Sequence, residues 1–443
     1  MRRIDISFKR IQQLALPAII AGIAEPVLSS TDAAVVGNLP ELSTESLAAV
    51  GIVGSFLSML IWILAQTRSA ISAIISQHLG AQNLDDIAVL PAQAVYFNMF
   101  LSFIFLGGTY FFVTDIFELL NASGMILKLS IDYYNIRVWG FPLTLIAFAI
   151  FGIFRGLQNT FWPMVISIIG ALTNIGLDFL LVYGWGAIPA MGVKGAAWAS
   201  LIAQAIMVVL SIILILSKTD ISLKLKLPLH PEIKRLAIMS FNLFLRSFAL
   251  NVALILAVRE ATALGDEFIA AHTIAINIWL FSAFFIDGYG AAGNVLGGRL
   301  LGAKDYSGIW VLTRRVVSYN LVVAVLLMLL GWLTYNQLGE LFSKDPQVLA
   351  IYASIFFIVI LMQPLNSLAF TLDAIFKGLG ETAYLRNTLL GATFLGFLPV
   401  IYLGRHLEWG ITGIWIAFCA WMLFRASALL IKYYTKFYRL AKM

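Results

Sequence analysis

Long apolar stretches alternate along this chain with short polar or Gly/Pro-containing breaks. A helix needs about 20 mostly apolar residues to cross about 30 Å of hydrocarbon. Twelve runs meet that measure, near 12–37, 46–76, 87–114, 130–156, 161–184, 192–217, 232–258, 268–298, 308–336, 346–378, 382–404 and 409–435. Several exceed the minimum, which implies tilt or extension beyond the bilayer. The pattern predicts an all-α integral membrane protein of twelve transmembrane helices. Composition agrees: AVILMFWYC make up 61% of the 443 residues and DEKR only 12%, against about 25% charged in an ordinary globular protein. Such a charge-poor chain buries most of its surface in lipid, which rules out the roughly three soluble domains its length would otherwise suggest.

The net charge of +6 does not point to nucleic acid, because Lys and Arg in a membrane protein gather at the cytoplasmic helix ends. With an even number of spans the termini share a side. That side collects most of the basic residues, including Arg2, Arg3, Lys9 and Arg10, and the other holds only Lys128, Arg137, Lys194, Arg259, Lys344 and Arg405. Both termini are therefore expected in the cytoplasm, in a prokaryotic inner membrane. The first apolar run has no small-residue cleavage site and reads as a helix that is kept. Cys419 stands alone and the four histidines are scattered, so neither a disulfide nor a Cys- or His-cluster metal site is expected.

Sliding the chain against itself by 222 residues aligns LGAQ (79–82) with LGAK (301–304), IFRGLQNT (153–160) with IFKGLGET (375–382), and Pro142 with Pro364. One offset recurring at separated places predicts parallel repeats about a pseudo-two-fold axis along the membrane normal, with a cavity near the midplane. The expected organisation is a six-helix bundle over 1–217, a basic cytoplasmic linker over 218–231 and a second six-helix bundle over 232–443. Such a pair suits alternating access.

The segments LALPAII (14–20) and STDAAVVGNL (30–39), SQHLGAQN (76–83), NIGLDFLLVYG (174–184), MGVKGAAWAS (191–200) and LDAIFKGLGET (372–382) together resemble the multidrug and toxic compound extrusion (MATE) transporters, in particular their DinF-like branch. The likeness runs over nearly all twelve helices. It implies a secondary active transporter, not an enzyme, that exports amphipathic and often cationic organic compounds by antiport with H+ or Na+, without a cofactor and as a monomer in the bilayer.

A carboxylate in the membrane is costly and is a functional candidate by default. Asp32 lies about 20 residues into the first helix in a small, apolar stretch; the alternative is a solvated helix end near Gly37 and Asn38. Asn174 and Asp178 are four apart and share a helix face, where they hold a proton, a cation or a water, or else clamp two helices. The resemblance maps all three onto the family's coupling site in the first bundle. Glu25, seven residues before Asp32 on the same face, either extends a polar track or pairs with a basic residue of the inner leaflet. Asp287 and Asp373 are the second-half acids, and Arg246 and Arg68 are candidate counter-ions. Arg425 is expected to snorkel, and His272 to be a hydrogen-bonded core residue. Pro17 and Pro26 each remove a backbone donor and predict a bend in the first helix.

Departures from the family bear on the ion. Members with a proposed sodium site carry a Tyr four residues before the first-helix Asp, where this chain has Leu28, and an Asn within helix four, where it has only Asn135 near the helix end. NorM-type members carry an acid inside helix seven, where this chain has Arg246 and no acid between Glu232 and Glu260. The lost oxygen ligands favour H+ over Na+. The competing readings are a sodium-coupled antiporter and a lipid or saccharide flippase of the wider superfamily.

Overall fold

In the computed structural model the described residues are 4–39 and 42–442, without the side chains of 25–30 and 43. The helices are α1 (Phe8–Gly37), α2 (Ser43–Leu64), α3 (Gln66–Gly80), α4 (Leu90–Tyr110), α5 (Val113–Leu119), α6 (Gly124–Arg137), α7 (Gly140–Gly156), α8 (Phe161–Tyr183) and α9 (Val193–Lys218). After the loop come α10 (Glu232–Leu264), α11 (Asp266–Gly302), α12 (Tyr306–Phe342), α13 (Pro346–Leu361), α14 (Gln363–Gly378), α15 (Thr382–Gly391), α16 (Leu398–His406) and α17 (Gly410–Lys432).

Among the described residues nine helices are long and apolar enough to cross a membrane, and two bent pairs bring the number to eleven. α1, with 30 residues, is about 45 Å long and is the twelfth of sufficient length. These match the twelve apolar runs one for one. Backbone N–H and C=O groups find no partner in hydrocarbon, so helices that satisfy them internally are the form such runs take. Phe100, Phe111, Leu172, Leu333 and Leu395 project outward and exposed, which suits side chains solvated by lipid rather than water.

The two bent pairs are α6 with α7, at 45°, and α13 with α14, at 50°. Pro142 and Pro364 each sit in the first turn of the second member, where a missing N–H is tolerated but the preceding residue resists helix. Between α15 and α16 the helix widens to a π-turn over Ala392–Phe397, next to Pro399, which cannot donate to the regular ladder. There Thr393 accepts from the Trp421 indole at 3.1 Å and donates to the Ala249 carbonyl at 3.3 Å.

The chain forms two compact units: Met1–Ile19, Ser76–Gln82 and Phe241–Met443 in one, Ile20–Ile75 and Asn83–Ser240 in the other. α1 thus contributes its first turns to one unit and its remainder to the other. The linker belongs to the second of these units, where Gln93 caps it by donating to the carbonyls of Lys226 and Pro228 and accepting from His230 N–H.

The 222-residue offset reappears in the packing inside each unit. In one, a Cβ on Gly152 would press on the Arg68 carbonyl at 2.8 Å, and one on Gly156 would meet the Ile75 side chain at 2.6 Å and the Ser72 carbonyl at 3.2 Å. In the other, Gly378 lies against the Asn294 backbone and Gly290 against the Ala374 side chain. Each position is its counterpart plus 222 (Gly152 and Ala374, Gly156 and Gly378, Arg68 and Gly290, Ser72 and Asn294). The LGAQ and LGAK motifs meet reciprocally: Gly80 abuts the Arg299 backbone and Gly302 the Gln77 backbone, again with partners 222 apart. Gln77 also donates to the Gly378 carbonyl at 2.8 Å. A pseudo-two-fold relation between the two motifs accounts for all of these pairs.

These close approaches leave no space for a methyl group, so Gly156→Ala and Gly378→Ala should each destabilise the protein by about 1–3 kcal/mol. Gly51→Ala, where a Cβ meets nothing within 4 Å, should leave stability unchanged or raise it by up to about 1 kcal/mol. Thermal unfolding of the purified variants in detergent measures the difference.

Candidate functional site

Asp32 sits on the last third of α1, Asn174 and Asp178 one turn apart on α8, and Ser200 on α9. All four side chains are buried, Asp32 at 3% exposure and both Asn174 and Asp178 at 0%. Small residues bring the helices this close: a Cβ on Gly195 would run into the Leu181 backbone, and one on Gly170 into Met207. α9 therefore closes on α8 and places Ser200 beside Asn174. Tyr183 ties α8 to α1 by donating to the Val35 carbonyl at 2.7 Å.

The Ser200 hydroxyl is the hub. It donates to Asp32 Oδ2 at 3.1 Å and accepts from Asn174 Nδ2 at 3.2 Å. The remaining Asp32 oxygen, Asn174 Oδ1 and both Asp178 oxygens are buried without a hydrogen bond, while Asp178 lies close enough to Asp32 for the two carboxyls to interact. From α6, Tyr133 accepts from Arg137 Nε at 3.4 Å, and this pair faces both carboxyls electrostatically. The arrangement offers four unfilled acceptor atoms, two carboxyls and one nearby guanidinium. It can hold a proton between the acids or a small cation across them. Among the described residues no cluster of His, Cys, Asp and Glu forms a metal site.

Sequence reasoning named Asp32, Asn174 and Asp178, and the structure brings them together. It missed Ser200, Tyr133 and Arg137. Ser200 ends the quoted segment MGVKGAAWAS but, as a hydroxyl in an apolar helix, carries little signal of its own. Arg137 was read only as an outer basic residue. The side chains of Glu25 and Pro26 lie outside the described residues. α1 continues as helix through Pro17.

A second cluster, within the other unit, gathers the remaining charged candidates. Arg246 on α10 grips Asp373 on α14 with two parallel bonds, Nε to Oδ1 at 2.9 Å and Nη2 to Oδ2 at 2.8 Å. Lys377, one turn along α14, reaches the same carboxylate at 3.2 Å, and Arg425 on α17 approaches it at 3.7 Å. Asp287 on α11 is exposed and interacts with this group through its charge alone. Arg425 does not snorkel as expected. It is 1% exposed and lies over the rings of Trp421 and Phe370, at 4.9 and 5.1 Å, because Asp373 and the ring faces supply negative potential inside the bundle. Arg68 lies over the Phe148 ring at 4.9 Å. His272 is buried as expected, but neither ring nitrogen has a hydrogen bond. It stacks instead on Phe418 and leans on Trp415.

Known proteins resemble this chain in sequence and in fold. A family model described as MatE matches residues 17–180 and 242–403. Protein DETOXIFICATION 43 of Arabidopsis thaliana is 30% identical over 299 residues, which is 66% of this chain and a little over half, 54%, of that protein. DNA damage-inducible protein F of Escherichia coli is 24% identical over 410 residues, 91% of this chain and 88% of that one. The crystal structure of the Vibrio cholerae MATE transporter VcmN in its bent form superposes with a TM-score of 0.87 at 18% identity, over 98% of this chain and 97% of that one; at that identity the likeness is one of fold.

Removing one partner from a buried ionic group leaves the others uncompensated. Asp373→Asn strands Arg246, Lys377 and Arg425 with Asp287 alone and should cost about 3–5 kcal/mol, read as a lowered unfolding midpoint in detergent.

Proposed function

The chain belongs to the MatE family of multidrug efflux transporters, and from that premise we propose that it exports small amphipathic organic compounds in exchange for protons, by alternating access. The observation that carries this reading is the buried pair of Asp32 and Asp178 joined to Asn174 through Ser200. Two carboxylates in a low-dielectric site repel each other strongly, and a single proton relieves that repulsion. The pair is thus a proton carrier whose occupancy depends on which side of the membrane it faces. Ser200 transmits the change, because its hydroxyl can donate to an ionised Asp32 and turn away from a protonated one. The Arg137 and Tyr133 pair supplies positive potential that a bound sodium ion would otherwise provide, which favours the proton as the coupling ion.

In this reading both termini face the cytoplasm of an inner membrane, as the distribution of Lys and Arg supports, and the working unit is one chain. Organic cations, the class the family resemblance implies, would compete with the proton for the same acidic charge. α1 carries the coupling acid, and its membership of both units makes it the natural moving part, with Pro17 weakening its hydrogen-bond ladder three residues before Ile20.

In proteoliposomes with an imposed pH gradient, efflux of ethidium should follow the proton gradient and be abolished by Asp32→Asn and impaired by Asp178→Asn, with both variants still folded. Replacing Na+ by K+ at fixed pH should have little effect; transport that follows sodium and ignores pH would overturn proton exchange in favour of a sodium-coupled antiporter. Pro17→Ala should slow the cycle at least about tenfold, and an unchanged rate and pH profile would remove the bend from the mechanism.

A further inference from the structure

A cleft of about 380 Å3 lies on the flank of α12, lined by Trp310, Val311, Arg314, Arg315, Ser318 and Tyr319. Two neighbouring segments hold this lining in place. Toward the Tyr319 end, Arg315 donates to the Ile6 carbonyl at 2.8 Å and Tyr319 meets the Phe8 ring edge to face at 5.1 Å. Toward the Trp310 end, the indole packs on Tyr433, Tyr434 and Tyr438, which belong to the widened helical turn after α17. All of these residues belong to one compact unit. Two guanidinium groups side by side repel each other and draw an anion. Arg315 has Asp5 within electrostatic reach, but Arg10 shares that carboxylate. Arg314 is exposed and has neither a hydrogen bond nor an ion pair among the described residues.

The sequence of α12 says what kind of anion. Val311, Arg315 and Ser318 stand on one exposed face, and steps of three or four residues carry that face on through Val322, Leu326, Leu329 and Leu333, all exposed. The outward stripe is thus cationic and polar at one end and purely aliphatic beyond it. Val322 and Leu333 are about 16 Å apart along the helix axis, the depth of one leaflet in a hydrocarbon core about 30 Å thick. Arg314 and Arg315 therefore lie at the level of the headgroups, where Trp and Tyr, here Trp310 and Tyr319, are also at home. We propose that this cleft binds the phosphate of an anionic phospholipid, with an acyl chain of the same lipid lying along the aliphatic stripe. Guanidinium forks match phosphate oxygens geometrically, and basic recesses beside membrane helices suit anionic headgroups. A soluble anion would leave the stripe unused, and a zwitterionic lipid would leave the paired positive charges half compensated. The lipid would also bridge α12 to the segment before α1, through the Arg315 side chain that already holds Ile6.

The test is native mass spectrometry of the purified full-length protein in detergent, titrated with palmitoyl-oleoyl phosphatidylglycerol and with the matching phosphatidylcholine, beside a calorimetric titration with sodium phosphate. Phosphatidylglycerol should bind the tighter of the two lipids, and Arg314→Gln should weaken it by about tenfold, as expected for loss of one charge-assisted contact. Arg314 is exposed and unpaired, so its replacement leaves the fold intact, and Arg315→Gln should weaken the same lipid. Lys224→Gln, in the exposed basic linker, should leave the affinity unchanged. Equal binding of phosphatidylcholine, full affinity in the Arg314 variant, or an equal loss in the Lys224 variant would each overturn the proposal, the last by showing diffuse attraction to basic surface. Phosphate binding as tight as that of the lipid would assign the cleft to a soluble anion instead. Binding in detergent requires neither a gradient nor transport, so this result stands or falls apart from proton exchange.

Discussion

Charge cannot be left uncompensated far from water, and the interior of this protein is arranged around that constraint. Hydrocarbon satisfies neither backbone polar groups nor ionised side chains. The backbone answer is the near-continuous helix of every span. The side-chain answers are two concentrated clusters, one built on paired acids and one on crowded cations around Asp373. Elsewhere the described membrane-spanning surface is apolar and faces outward. Ionisable groups in the core therefore mark where chemistry was retained against its cost.

The two clusters solve the problem differently. Asp32 and Asp178 face each other with one hydroxyl and one amide between three helices, and four acceptor atoms remain open. Such a site has capacity for a mobile positive charge. Around Asp373 the anion is already saturated by Arg246, and the surplus is positive. No residue of one cluster stands 222 positions from a residue of the other, so the repeat shares its close helix packing but not its placement of charge.

That shared packing rests on glycine. Where α3 crosses the end of α7, and where α11 crosses the end of α14, backbones approach so closely that no side chain fits. Van der Waals contact of this kind is a main source of helix association in lipid, where apolar surface alone gives no preference for a neighbour. The bends before Pro142 and Pro364 are the second conserved element of the repeat, and they follow from proline's effect on the residue before it.

Most of the architecture was legible in the sequence because its causes are local. Span length, the penalty for charge in lipid, and proline breaks each act over one helix, so twelve apolar runs returned twelve helices, and the 222-residue offset was visible because both halves use the same local rules. Asp32, Asn174 and Asp178 stood out for the same reason: a carboxylate in an apolar run is conspicuous wherever it points. What only the tertiary structure decided was partnership. Ser200 is one small hydroxyl among many, and nothing local says that it bridges Asp32 to Asn174 across three helices. Arg425 resembled a snorkelling residue until the fold set it over Trp421 and Phe370, and His272 resembled a hydrogen-bonded residue until Phe418 stacked on it. Which polar groups meet depends on helix rotation and on close approach at glycines, and both are properties of packed pairs rather than of any single segment.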